Sequence, residues 1–158
     1  MTEDFTTYTK TDPDNILTVT AATVTIYGLD NKQARLVKNI SSVPYTDFEC
    51  NFEVTKRSDY GTIGVSGMQN GDYYLNNASC NAVVAMLSTN IYITISHNGS
   101  FTNSASIVLS SSTKYYCNLK RVGTTVTLSV YTDVAMTIHA NGSPKTLTDS
   151  YGDTFTWV

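Results

Sequence analysis

Glu49, Asn51 and Glu53 sit at i, i+2 and i+4 of the run DFECNFEVTK, a spacing that sends all three side chains to one face of a β-strand. Two carboxyls on one face are the minimum equipment for retaining glycoside hydrolysis, in which one is the nucleophile and the other the acid and base, about 5 Å apart. The same alternation puts Phe48, Cys50, Phe52 and Val54 on the opposite side. A solvated outer face of a half-buried strand therefore accounts for the acids without chemistry, and it is the favoured reading. Trp157 is the only tryptophan, so a tryptophan-lined cleft for a sugar polymer has no material.

A second constellation is suited to binding. Tyr60, Asn70, Asp72, Tyr73, Tyr74 and Asn76 combine aromatic platforms with amide and carboxylate groups, the mix that holds a glycan. They fall in a glycine- and asparagine-rich loop region from Ser58 to Asn81, but with 11 tyrosines in the chain chance clustering with packing over a sandwich end is the favoured reading.

Oxygen donors gather towards both ends of the chain, at Asp12, Asp14, Asn15, Asp149 and Asp153. A hard cation needs several such groups at about 2.5 Å, so a structural calcium stays open, although Asx turns are the simpler use of these residues. No other cofactor is expected. His97 and His139 lie in or beside Asn-Gly turns without Cys, His or Asp at zinc-like spacing. Neither a G-x-S-x-G elbow nor a phosphate-cradling glycine loop occurs.

Cys50 and Cys117 occupy core-phase positions, which favours buried free thiols over activated nucleophiles. With Cys80 they make an odd set of three, and one disulfide among them is left open.

The elements that must position these groups are strands. At 158 residues, with 41% apolar and 15% charged residues, the chain is sized for a single domain over 1–158 with its own core. Thr and Ser make up roughly a quarter of it, a composition that suits half-exposed strands. A net charge of −3 with scattered Lys and Arg argues against nucleic acid as a partner. No apolar run is long enough to span a bilayer. The opening MTEDFTTYTK is acidic where a signal peptide would be basic, so no export signal is expected. Sequons at Asn39, Asn77 and Asn98 then mark only polar turns.

Thr113 to Thr132, TKYYCNLKRVGTTVTLSVYT, carries the clearest signal: two alternating strands around a turn at Arg121-Val122-Gly123-Thr124. Tyr115, Cys117 and Leu119 share one face, and Val126, Leu128 and Val130 share another. Further strands are expected at Phe5 to Thr9, Ile16 to Thr20, Thr23 to Tyr27, Ala34 to Ile40 and Asp47 to Lys56. Beyond these come Gly61 to Ser66, Asn81 to Leu87, Ile91 to Ser96, Ala105 to Leu109 and Asp153 to Val158. Asn81 to Leu87 is short enough for a helix, but Val83-Val84 and the flanking turn residues favour a strand. Asp12-Pro13-Asp14-Asn15 and Asn98-Gly99 are turns. Roughly ten to thirteen short strands predict an all-β protein, two antiparallel sheets packed as a jelly-roll β-sandwich. Its first strand is expected to pair with its last.

Three segments, DPDNILTVTAATVTIYGL (Asp12 to Leu29), DFECNFEV (Asp47 to Val54) and TKYYCNLKRVGTTVTLSVYTD (Thr113 to Asp133), resemble the concanavalin A-like, laminin-G-like jelly-roll domains found in phage and environmental viral proteins. The likeness runs over most of the chain. Retaining β-glucanases of that fold carry two glutamates and an intervening aspartate on one strand, but Asn51 stands here where that pattern has an acid.

The resemblance implies first a non-enzymatic structural or binding module, virion-associated as a capsid decoration, fibre or tail component. Virion or self-assembly contacts are then its partners, homo-oligomers included. Its location would be the virion or the cytoplasm of the producing host cell. The alternatives are a stand-alone carbohydrate-binding module with a glycan partner and, third, a glycosidase using Glu49 and Glu53.

Overall fold

A computed structural model describes residues 5–13, 15, 17–21, 24–26, 35–37, 46–55, 61–66, 82–87, 90–151 and 155. They are mostly strand, with one 3-10 turn at Phe5–Thr7, and every strand pair is antiparallel.

The first main sheet is built on the long hairpin. β11 (Lys114–Val122) and β12 (Thr125–Tyr131) pair from Tyr116↔Tyr131 to Val122↔Thr125. β5 (Phe48–Thr55) flanks β11, and β13 (Lys145–Thr148) flanks β12. The order is β13-β12-β11-β5. The second sheet runs β6 (Gly61–Ser66), β7 (Ala82–Leu87), β8 (Asn90–His97), with β9 (Ser100–Asn103) and β10 (Ile107–Val108) both pairing β8.

Two small ribbons complete the described strands. β1 (Thr9–Thr11) pairs β4 (Arg35–Val37), and β2 (Leu17–Val19) pairs β3 (Val24–Ile26).

Period-2 patterning makes these sheets two-faced. Val54, Tyr115, Cys117, Leu119, Val126, Leu128 and Val130 of the first sheet and Val65, Val83, Ala85, Ile91, Ile93, Ile95 and Ile107 of the second are buried together in one core. Two antiparallel sheets sharing a core give an all-β, sandwich-like architecture. The expected strand over Gly61 to Ser66 is present, and that over Asn81 to Leu87 is present from Ala82 to Leu87, so β-branching and the burial of Val83 prevailed over the helical option. Asn98 and Gly99, at φ 47° and 80°, make the tight turn that joins β8 to β9.

Two expectations need correction, the extent of the first strand and the centre of the long hairpin's turn, and two strands were not anticipated. Phe5 to Thr9 is a 3-10 turn followed by a strand that begins at Thr9. The described partner of that strand is β4, while of Asp153 to Val158 only Phe155 lies within the described residues. β9 and β13 were not anticipated, because SFTN and KTLT are short, polar and follow Asn-Gly or Pro residues. The central turn is Gly123-Thr124, with Gly123 at φ +57°, a left-handed conformation that suits glycine. Arg121 accordingly belongs to β11, and its side chain is 1% exposed.

Candidate binding surfaces

On the outer face of the first sheet, β5 and β11 are in register, with Lys120 opposite Glu49 and Asn118 opposite Asn51. Lys120 Nζ lies 3.2 Å from Glu49 Oε2. The Asn118 amide donates to Glu49 Oε1 and to Asn51 Oδ1, each at 2.7 Å. At the far end Lys114 Nζ donates to Glu53 Oε2 at 2.7 Å.

The Asn118 hydrogen bond and then Lys120 hold the Glu49 carboxyl below its ordinary range, and Glu53 pushes the Lys114 ammonium up. A general acid needs the opposite shift. Along a strand, Cα atoms four residues apart are separated by about 13 Å, so a retaining pair would have to lean together. Glu49 is held instead by Asn118 and Lys120, and Glu53 by Lys114, which pairs with Thr55 in the β5–β11 register, two positions past Glu53 towards the strand end. The face reads as interleaved carboxylate, amide and ammonium groups. Tyr116 and Tyr131 extend it across the sheet as directly opposed residues, and His139 stacks on Tyr131 with ring centroids 4.5 Å apart.

The tyrosine and asparagine cluster at Tyr60, Asn70, Asp72, Tyr73, Tyr74 and Asn76 lies outside the described residues, as do Asp14, Cys80 and Asp153. Of the remaining calcium candidates, Asp12 sits 3.0 Å from Lys10 Nζ, and Asn15, at φ 55°, donates its backbone N–H to the Asp12 carbonyl. That is the chemistry of a turn. Asp149 is fully buried against Arg121, with Nη2 to Oδ2 at 2.8 Å, so it faces an internal guanidinium cation. Among the described residues no group of three or more His, Cys, Asp or Glu side chains converges on a metal-sized space.

Cys50 and Cys117 are free thiols. Burial raises both, and Cys117 is pushed up to about 12, which keeps it protonated and unreactive at neutral pH. His97 stacks face to face on Tyr151 at 3.8 Å, and His139 is exposed.

Two features escaped the sequence. The first is the buried cluster around Arg121, whose guanidinium donates to the Thr46 carbonyl at 3.0 Å and lies 5.3 Å from the Phe155 ring. The register of β11 was the available signal, because Arg121 follows Tyr115, Cys117 and Leu119 in steps of two.

The second is a groove of about 400 Å³ lined by Ser106, Val108, Ser110, Tyr115, Thr132, Ala140, Asn141 and Gly142. One wall is the run SIVLS from Ser106 to Ser110, in which Ile107 and Leu109 are buried while Ser106, Val108 and Ser110 are exposed. The opposite wall is the segment after β12. There the Asp133 carboxylate accepts hydrogen bonds from Thr137 N, Ile138 N and the Thr137 hydroxyl, and Ala140 N donates to the Val130 carbonyl. This second wall is thereby fixed by hydrogen bonds. In the described residues no helix is long and apolar enough to cross a membrane.

Neither a family model, nor a curated protein, nor a solved structure matches this chain.

Proposed function

We propose that this protein is a non-enzymatic module that works by holding and binding, as a virion-associated component of the decoration, fibre or tail type. The observation that carries the non-enzymatic part is the pairing of Glu49 with Asn118 and Lys120 and of Glu53 with Lys114. The strand with hydrolase-like spacing thus spends its carboxylates on cross-strand contacts, where opposite charges stabilise a sheet. Support for the virion setting comes from the jelly-roll likeness in Asp12 to Leu29, Asp47 to Val54 and Thr113 to Asp133.

Density-gradient purification of particles from cells producing the chain, followed by quantitative mass spectrometry, tests this setting. Co-migration at a fixed number of copies per particle is expected. A monomer confined to the soluble fraction would remove the proposal.

A stand-alone carbohydrate-binding module is the second reading, and the groove beside Val108 is the observation that favours it. A concave, pre-formed site with a few directed polar groups is the usual form of a small-molecule site.

A further inference from the structure

We infer that the groove between Ser106–Ser110 and Ala140–Gly142 is a binding site for a small neutral polyhydroxylated ligand of the hexose type. The inference rests on the carbohydrate-binding reading and gives it a location.

The chemistry follows from the order of groups along the SIVLS wall. Ser106, Val108 and Ser110 occupy one face of an extended segment, because Ile107 and Leu109 take the core side. An isopropyl group 72% exposed is therefore flanked on both sides by hydroxyls. Thr132 and the exposed Asn141 amide line the rest of the groove.

A pyranose presents the complementary arrangement, an apolar C–H face edged by hydroxyls that both donate and accept. Seating that face on Val108 removes apolar surface from water on both partners. Ser106, Ser110 and Asn141 supply both donors and acceptors to the sugar edge. None of the lining residues is charged, so an anionic or cationic ligand would lose its hydration without gaining a counter-ion.

The volume of about 400 Å³ falls in the range of small-ligand sites, roughly 300–1,000 Å³. The frame is also pre-set. Ser110 N donates to the Tyr115 hydroxyl at 2.9 Å, Thr132 N donates to the Ile138 carbonyl at 2.9 Å, and Ser143 N donates to the Ala140 carbonyl at 3.0 Å. Little ordering is left for the ligand to impose, which favours affinity.

The test is an amide-resolved NMR titration of the full chain with glucose, galactose, mannose and N-acetylglucosamine, using glucuronate as the charged control. Saturable shifts at Val108, Ser110, Asn141 and Gly142 with at least one neutral sugar, and weaker binding of glucuronate, are expected. Asn141→Ala should weaken that sugar about tenfold, as loss of one directed hydrogen bond does. Val108→Asp should abolish binding, while Lys120→Met on the outer sheet face should leave it unchanged. Saturable shifts confined to other residues would overturn the groove and keep the carbohydrate-binding reading. No shift anywhere with any sugar would overturn both, and an unchanged affinity in Asn141→Ala would overturn the placement.

Discussion

Lys120 and Arg121 are neighbours on β11, carry the same charge and each meets a carboxylate, yet they occupy opposite energetic regimes. Lys120 and Glu49 have side chains 46% and 49% exposed, whereas Arg121 and Asp149 are 1% and 0% exposed. In water-screened surroundings an ion pair contributes about 0–1 kcal/mol. In the interior, desolvation of two charges makes the pair a liability unless it stays complete, and removing one partner costs about 3–5 kcal/mol. One step along a strand, and hence one change of face, separates a surface ornament from a structural commitment.

What the commitment holds is visible from its contacts. Arg121 reaches the Thr46 carbonyl before β5 and the Phe155 ring near the chain's end, and Phe155 meets Phe48 edge-on with centroids 6.0 Å apart. Asp149 N donates to the Thr124 carbonyl at 2.7 Å, and Tyr151 N donates to Asp149 Oδ1. The pair thereby links both edges of the central hairpin to the segment after β13. A single buried charge pair organises three segments remote in sequence.

The largest effect should come from breaking that pair on one side only. Asp149→Leu or Arg121→Met, each alone, should lower unfolding stability by about 3–5 kcal/mol in urea titration. The double variant Arg121→Met with Asp149→Leu should recover most of the loss, since no unpaired charge remains buried. Equal loss in the double variant would erase the contrast between the two faces.

On the core side of the same strand, Leu119→Ala should cost about 2–5 kcal/mol, because Leu119 is fully buried and its removal leaves a cavity. Lys120→Met, one residue away, should change stability by no more than about 1 kcal/mol, and added salt should shrink that change further.

The smallest effect is a pH dependence. Glu49 is held below its ordinary range by Asn118 and Lys120, so the unfolded chain binds its proton more readily. Its stabilising contribution is therefore full above the unfolded carboxylate value of about 4.3 and fades as pH falls through the lower folded value. Urea midpoints for Glu49→Gln and the parent chain should converge as pH falls through and below the unfolded carboxylate value. A difference that instead grows as the solution becomes more acidic would reverse the assigned sign.

The alternation that separates these faces was largely readable. Phe48, Cys50, Phe52 and Val54 alternate with Glu49, Asn51 and Glu53 as the sequence implies, and Tyr115, Cys117 and Leu119 are inside. Arg121 was not legible as a core residue, because a basic residue next to Val-Gly suggests a turn, and its partner Asp149 lies far along the chain. Asp149 likewise looked like a donor for a hard cation, while burial beside a guanidinium is what it received. The groove was half legible. SIVLS alternates plainly, but Thr132 and Asn141 join it only through the folding of a turn-rich segment that local patterning does not specify. β9 and β13 form through pairing to longer neighbours, β8 and β12, and short polar strands of that kind carry little signal of their own.

The most direct measurement of the central claim is hydrolysis of a panel of soluble β-glucans by the purified chain alongside Glu49→Gln and Glu53→Gln. If the outer-face carboxylates serve only cross-strand pairing, all three proteins stay at the buffer rate while remaining folded. Turnover by the parent chain that disappears in either variant would contradict the account and make β5 a catalytic strand.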